Sequence, residues 1–175
     1  MFRFIFTIFT LTFYFSIACQ KNELNPNQTY KVIAVLDGDT YDILVDNQSV
    51  RIRIDGIDAP EKGMPYSKVS KKYLSKLCFG KYIKIKKTDE DGRGRWVCRG
   101  YTPEGLDISE EMIQAGLAWH YKKYSSDKKL AALEIEARSK KIGLWTEPSP
   151  IAPWEIRKLH KKGISTKEYF KNSVK

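Results

Sequence analysis

Soft metal ligands are scarce in this 175-residue sequence, which holds three cysteines and two histidines. It has no Cys-x-x-Cys pair and no Cys–His spacing, and His120 and His160 stand far from each other and from the acidic clusters, which argues against a zinc site. Long apolar runs are also missing. The stretch Phe4 to Ile17 is broken by Thr7, Thr10 and Thr12 and falls short of the roughly 20 apolar residues a membrane-spanning helix needs. No segment repeats, which closes the solenoid architectures. Acidic residues are the minority charge, 21 against 31 Lys and Arg, a net charge of +10. A surface of that sign favours polyanions such as nucleic acid or an anionic membrane. The length suits one domain with a sizeable core.

Residues 1–18 carry one early positive charge, Arg3, then the Phe- and Ile-rich stretch, then small residues before Cys19. That is the shape of an export signal. Ser16-Ile17-Ala18-Cys19 is similar to a bacterial lipoprotein cleavage box, in which the Cys becomes the lipidated first residue, with Ser16 where Leu is usual. The expectation is an exported chain, either lipid-anchored to the cell envelope through Cys19 or secreted. Residues 19–29 are polar without an apolar period and read as a tether. Removal of residues 1–18 takes away only Arg3, leaving 30 basic against 21 acidic residues, a net +9. Cys78 and Cys98 then face an oxidising compartment, where they either pair or pack as free small hydrophobes.

Past the tether, hydrophobic periodicity sets the elements. Tyr30 to Leu36 is a β-branched run, Thr40 to Val45 alternates, and Ser49 to Ile54 places Val50, Ile52 and Ile54 on one face and Arg51 and Arg53 on the other. Asp46-Asn47 supplies the turn between the last two. A helical pattern opens at Pro65, with Val69, Tyr73 and Leu77 as its predicted inner stripe, and stops at Gly80. Tyr82 to Thr88 and Arg95 to Tyr101 read as a fourth and a fifth strand. A second helix starts at Asp107 and buries Met112 and Ile113. A third starts near Ser126 or Asp127 and buries Leu130, Leu133 and Ala137. The predicted fold class is α+β, a five-stranded OB-fold β-barrel with three helices. Residues 30–146 form the domain, and 147–175 form a Pro-containing basic extension that either packs through Trp154 or stays mobile.

Two carboxylate clusters flank the second and third strands, Asp37-Gly38-Asp39 before the second and Asp58-Ala59-Pro60-Glu61 after the third. An Asp-Gly pair between alternating strands is by itself a turn signal, and surface carboxylates are ordinarily just solvated. Carboxylates with guanidinium in one short unit also suit a hard divalent cation and a phosphate, because oxygen ligands bind Ca²⁺ or Mg²⁺ and Arg forks onto phosphate.

Asp-Gly-Asp-Thr at 37–40, Arg-Ile-Arg-Ile-Asp-Gly-Ile-Asp-Ala-Pro-Glu at 51–61 and Asp-Gly-Arg-Gly-Arg at 91–95 resemble, in order and spacing, the three signature segments of the staphylococcal-type thermonuclease family. The resemblance runs from about Tyr30 to Trp145. It implies a calcium-dependent nuclease that hydrolyses phosphodiester bonds of DNA and RNA and leaves 3′-phosphate ends. Asp39 and Asp58 would be carboxylate ligands of Ca²⁺, Ala59 would add its carbonyl where the family often has Thr, and Asp37 would act through water. Glu61 matches the proposed general base and Arg53 and Arg93 the phosphate-clamping arginines. Tyr121 and Tyr124 lie where relatives place tyrosines that contact substrate, and Lys84 and Lys86 share a strand face suited to tracking phosphates. Asp91 stands where many relatives carry Tyr, which either weakens phosphate binding or holds Arg93 in place. The expected partners are DNA and RNA, with single strands favoured because their phosphates and bases are more accessible, and the membrane through lipid on Cys19. The chain is expected to be a monomer. The alternative is a non-catalytic OB-fold nucleic-acid-binding surface protein, but such a relative would be expected to have lost at least one of the five charged groups.

Overall fold

A computed structural model describes residues 24–25 and 27–173 of the chain. The signal segment 1–18, the lipidation site Cys19 and most of the tether lie outside the described residues. Five strands close a barrel in the order β1 (Thr29–Val35), β2 (Thr40–Val45), β3 (Gln48–Ile54), β6 (Trp96–Tyr101) and β5 (Tyr82–Glu90), with β5 returning to β1. The pairings are antiparallel except β3 with β6, which run parallel and close the wall with Arg53 beside Val97. Alternation puts Tyr30, Val32, Tyr41, Ile43, Ile52, Ile54, Ile83, Ile85 and Cys98 inside, the expected consequence of a period of two. Asp46 and Asn47 both take positive φ, 47° and 62°, as a two-residue hairpin turn requires.

Helix α1 (Ser67–Cys78) follows the third strand, as expected. Its inner stripe differs from the predicted one: Ser70, Leu74 and Cys78 are buried, Tyr73 and Leu77 pack partly against the core, and Val69 is 51% exposed. The helix opens after Tyr66, which adopts a left-handed conformation, and its buried line runs one residue later than the large apolar side chains suggest. A small side chain at position 70 is what the adjacent turn admits. Helices α2 (Ile108–Gln114) and α3 (Lys128–Ser139) are capped by Asp107 and Asp127, whose carboxylates accept the first free N–H groups. On α3 the buried line includes Glu134, neutralised by Lys122 at 2.8 Å and Arg138 at 3.2 Å, while Leu133 is only partly covered.

Three features add to the predicted plan. A two-stranded ribbon pairs β4 (Ile57–Asp58) with β7 (Trp119–His120). A short 3₁₀ turn covers Gly143–Thr146. The extension is helical, with α4 (Pro153–Lys161) and α5 (Thr166–Ser173). Pro153 opens α4, where a missing N–H costs nothing, and Lys158, His160 and Lys161 complement the dipole at its last turn. The extension packs through Trp154, which joins a small second core of Trp119, Ala137, Leu144 and Trp145, and Ile156 is fully buried. Cys78 and Cys98 are buried and free, so of the two cysteine readings the reduced, packed one holds. No helix of the described residues is long and apolar enough to cross a membrane.

Candidate active site

The turn between β1 and β2 holds the first carboxylates. Asp37 Oδ1 accepts the Asp39 N–H at 3.1 Å, folding the turn on itself. Gly38 is needed here because of close approach: a Cβ would collide with Ser70 Oγ of α1 and lie 2.7 Å from Ala59 Cβ. Ser70 Oγ in turn donates to the Leu117 carbonyl at 2.8 Å, tying helix, turn and ribbon together. Asp39 Oδ1 accepts from Thr40 Oγ1 at 3.0 Å and Oδ2 from the Ala59 N–H at 2.6 Å. The second acidic segment is thereby fastened to the first.

Arg53 joins the two aspartates. Its Nη2 lies 3.2 Å from Asp39 Oδ2 and 3.0 Å from Asp58 Oδ1, so a single cationic nitrogen reaches both carboxylates. Arg51, one step of the same face away, pairs across strands with Asp42 at 2.9 Å and takes no part. Asp58 is positioned by the ribbon, where it stands opposite Trp119. Desolvation of its carboxyl raises Asp58 to about 6, and the charge of Asp39 adds to this against the opposing pull of Arg157 and Arg53. Asp37, though exposed as a residue, is raised to about 6 as well, first by loss of water around its carboxyl and then by Asp39. The cluster has more negative charge than its surroundings solvate well.

That excess, with hard oxygen donors converging on one point, fits a divalent cation of the Ca²⁺ class. Among the described residues no group of three or more carboxylate, His or Cys side chains could hold a metal. Asp39, Asp58 and the Ala59 main chain would therefore hold it with water and substrate oxygens making up the about six to eight that Ca²⁺ prefers.

A residue that sequence reasoning did not reach enters from α4. Arg157 places Nη1 2.6 Å from Glu61 Oε1 and 3.2 Å from Asp58 Oδ1, and Nη2 2.6 Å from Asp58 Oδ2. Burial works against its charge, but the Asp58 and Glu61 carboxylates outweigh it and hold the guanidinium well above its ordinary range. Trp154, three residues earlier on the same helix face, stacks flat on Tyr121 with ring centroids 5.3 Å apart and planes within 2°. Tyr124 meets Tyr121 edge-on at 4.8 Å and is 67% exposed. The Trp-x-x-Arg spacing after Pro153 signals a helix with one marked face, but not where that face docks.

The structure thus brings together Asp39, Asp58, Ala59, Arg53 and Glu61, with Tyr121 joined through Arg157 and Trp154 and Tyr124 at its rim. Arg93 stands on the exposed 91–95 loop, and among the described residues no side-chain hydrogen bond or ion pair ties it to the cluster. Asp91 builds that loop: it accepts the N–H groups of Arg93 and Arg95 and pairs with the Arg95 side chain at 2.7 Å. Burial would raise Asp91, but these bonds win and hold it below its usual value. Its partner is Arg95, so it does not hold the Arg93 side chain. Lys84 and Lys86 are exposed side by side on the outer face of β5, opposite Tyr101 and Arg99 of β6.

The family model described as "Staphylococcal nuclease homologue" matches residues 51–147, just over half of the chain. The chain belongs to the staphylococcal nuclease family. Relatives agree with this. The chain is 39% identical over 132 residues to an "Uncharacterized endonuclease" of Escherichia coli O157:H7, covering 75% of this chain and 85% of the relative. It is 33% identical over 145 residues to the "Micrococcal nuclease" of Shigella flexneri, covering 77% and 83%. With the "Staphylococcal-like nuclease CAN1" of Arabidopsis thaliana it shares 45% identity over 113 residues, 65% of this chain and 35% of the relative. The family match ends at position 147, so Arg157 and its helix are additions to the matched region.

Proposed function

We propose that this chain is a calcium-dependent nuclease that hydrolyses phosphodiester bonds of DNA and RNA and leaves 3′-phosphate ends. The observation that carries this reading is the convergence of Asp39 and Asp58 on one cationic nitrogen of Arg53, with Glu61 held beside them. Bound calcium would supply positive charge against a phosphate oxygen. Glu61 takes the proton of the attacking water, the water oxygen bonds to phosphorus, and the bond from phosphorus to the 5′ oxygen breaks, that oxygen taking a proton from solvent water to leave as a hydroxyl. Arg53, set at the buried end of the cluster, stabilises charge that gathers on the phosphoryl oxygens as the attack proceeds, and Arg93 approaches from its exposed loop. Tyr121 and Tyr124 offer ring faces and edges to bases, and Lys84 and Lys86 offer charge to the backbone. Single strands are the favoured substrate, because their phosphates and bases are more accessible than those of a duplex. Export, with attachment through Cys19, would keep such an activity from the cell's own nucleic acid.

The test is a nuclease assay of the purified chain with Ca²⁺, with Mg²⁺ and with excess chelator, followed by chemical identification of the new ends. Activity with Ca²⁺ that is lost in chelator, with 3′-phosphate and 5′-hydroxyl products, is expected. Full activity in chelator removes the metal from the reading. Inactivity with every divalent ion, with oligonucleotide binding retained, favours the binding module instead.

A further inference from the structure

Helix α4 is not free to leave the site. Pro153 and Ile156 are buried, and Trp154 lies between the stacked Tyr121 ring and the Trp119–Trp145 cluster. Arg157 is therefore delivered to the carboxylates by an anchored element, while its own side chain keeps 34% exposure and has solvent to move into.

Every oxygen of Asp58 is already committed to a guanidinium. Oδ2 accepts from Arg157 at 2.6 Å, and Oδ1 is shared between Arg157 at 3.2 Å and Arg53 at 3.0 Å. The near oxygen of Glu61 is committed to the same guanidinium at 2.6 Å. A divalent cation arriving at Asp58 needs those lone pairs and would be a third positive centre on a carboxylate that already carries two. Arg53 is also tied to Asp39 and to the Ile54 carbonyl and is the more buried of the pair, so Arg157 is the one that gives way. We propose that Arg157 is an internal counter-cation of the active site, and that its fork on Asp58 and Glu61 and a calcium ion on Asp58 are mutually exclusive. This rests on the calcium reading above. The consequence is a coupling: displacement of one side chain opens the cation ligand and the general base together, so Glu61 is released for proton transfer only when the cation is in place. Arg157 also sets the concentration of cation the site needs, because binding must overcome the fork.

The experiment is a calorimetric titration of the full chain with CaCl₂, without nucleic acid, for the parent, R157M and R157K. Loss of a competing charge should tighten calcium binding in R157M on the order of 10-fold, within the roughly 5- to 150-fold span of coupled binding events. R157K keeps the charge without the fork and should fall between. A second measurement serves if R157M does not fold: in the parent chain the Arg157 Nε–H resonance, assigned by its loss in R157K, should move and exchange faster with solvent as calcium saturates. Equal or weaker calcium affinity in R157M, or an Arg157 resonance indifferent to calcium, overturns the proposal while leaving the calcium reading intact. Absence of calcium binding in all three chains overturns both.

Discussion

At the scale of the residue, the site is a set of charges whose partners decide their roles. Glu61 meets an Arg157 nitrogen, while Asp39 is fastened to the Ala59 main chain and to Arg53. Their substitutions should therefore separate. Glu61→Gln is expected to lower turnover about 100-fold or more, as loss of a general base does, with affinity for a single-stranded oligonucleotide in calcium little changed. Asp39→Asn should instead raise the calcium concentration for half-maximal activity. Equal turnover for Glu61→Gln and the parent would remove the base assignment. The thiols are the opposite case, residues whose surroundings make them inert. Burial pushes Cys78 and Cys98 from 9.0 up to about 12, only partly offset by Lys81 and Lys87. Because the unfolded thiols ionise first, the stability they contribute is fully present below pH 9.0 and is lost as pH rises from there toward 12. In the native chain at pH 8 neither should react with a thiol–disulfide exchange reagent until denaturant is added. Rapid native labelling would contradict their burial.

At the scale of the element, the seam between the end of α2 and the end of α3 supports the wall on which the extension docks. Gly116 has φ +62°, and a Cβ there would collide with the Ile142 carbonyl. Its own carbonyl accepts the Leu144 N–H at 2.8 Å, the residue next to Trp145. Gly116→Ala combines a left-handed conformation with a backbone collision, so a loss of at least about 2 kcal/mol is expected in chemical denaturation. An unchanged midpoint would show that the seam yields. Contacts far along the chain also set the buried line of α1. Its large apolar residues mark a helix correctly, but the buried line through Ser70 follows from the Gly38 turn and the Leu117 carbonyl. The barrel strands and the caps at Asp107 and Asp127 were legible because alternation and capping are local. The β4–β7 ribbon, two residues a side, is too short to leave a period.

At the scale of the whole molecule, charge and address govern which partners are met. A net +9 after residues 1–18, with Lys84 and Lys86 exposed on one face, predicts that affinity for a single-stranded oligonucleotide falls steeply with salt as counterions are released. Affinity measured from low to moderate NaCl checks this, and a flat response would mean that the basic residues do not follow the backbone. The export reading carries a second prediction. Cys19→Ser should leave the folded domain intact, since the charged site residues lie beyond β1, and should move nuclease activity from the membrane fraction to the soluble exported fraction. A parent chain already soluble, or unchanged partition in the variant, counts against lipid attachment.

The amino-acid sequence by itself determined the five strands and the three central helices, because periodicity and capping act within a few residues. The motif resemblance named Asp39, Asp58, Arg53, Glu61 and Arg93 as one constellation, of which the first four come together and Arg93 stands on its own exposed loop. The motif resemblance also singled out Arg53 of two same-face arginines, and tertiary structure supplied the physical reason, since Arg51 finds Asp42 on the neighbouring strand and Arg53 finds two aspartates. Tertiary structure alone turned Asp91 toward Arg95. Above all it brought Arg157 to Asp58 across 99 residues of chain. Such a contact has no local pattern to announce it: it follows from burying Ile156 and stacking Trp154 on Tyr121, and only the packed molecule determines where those side chains come to rest.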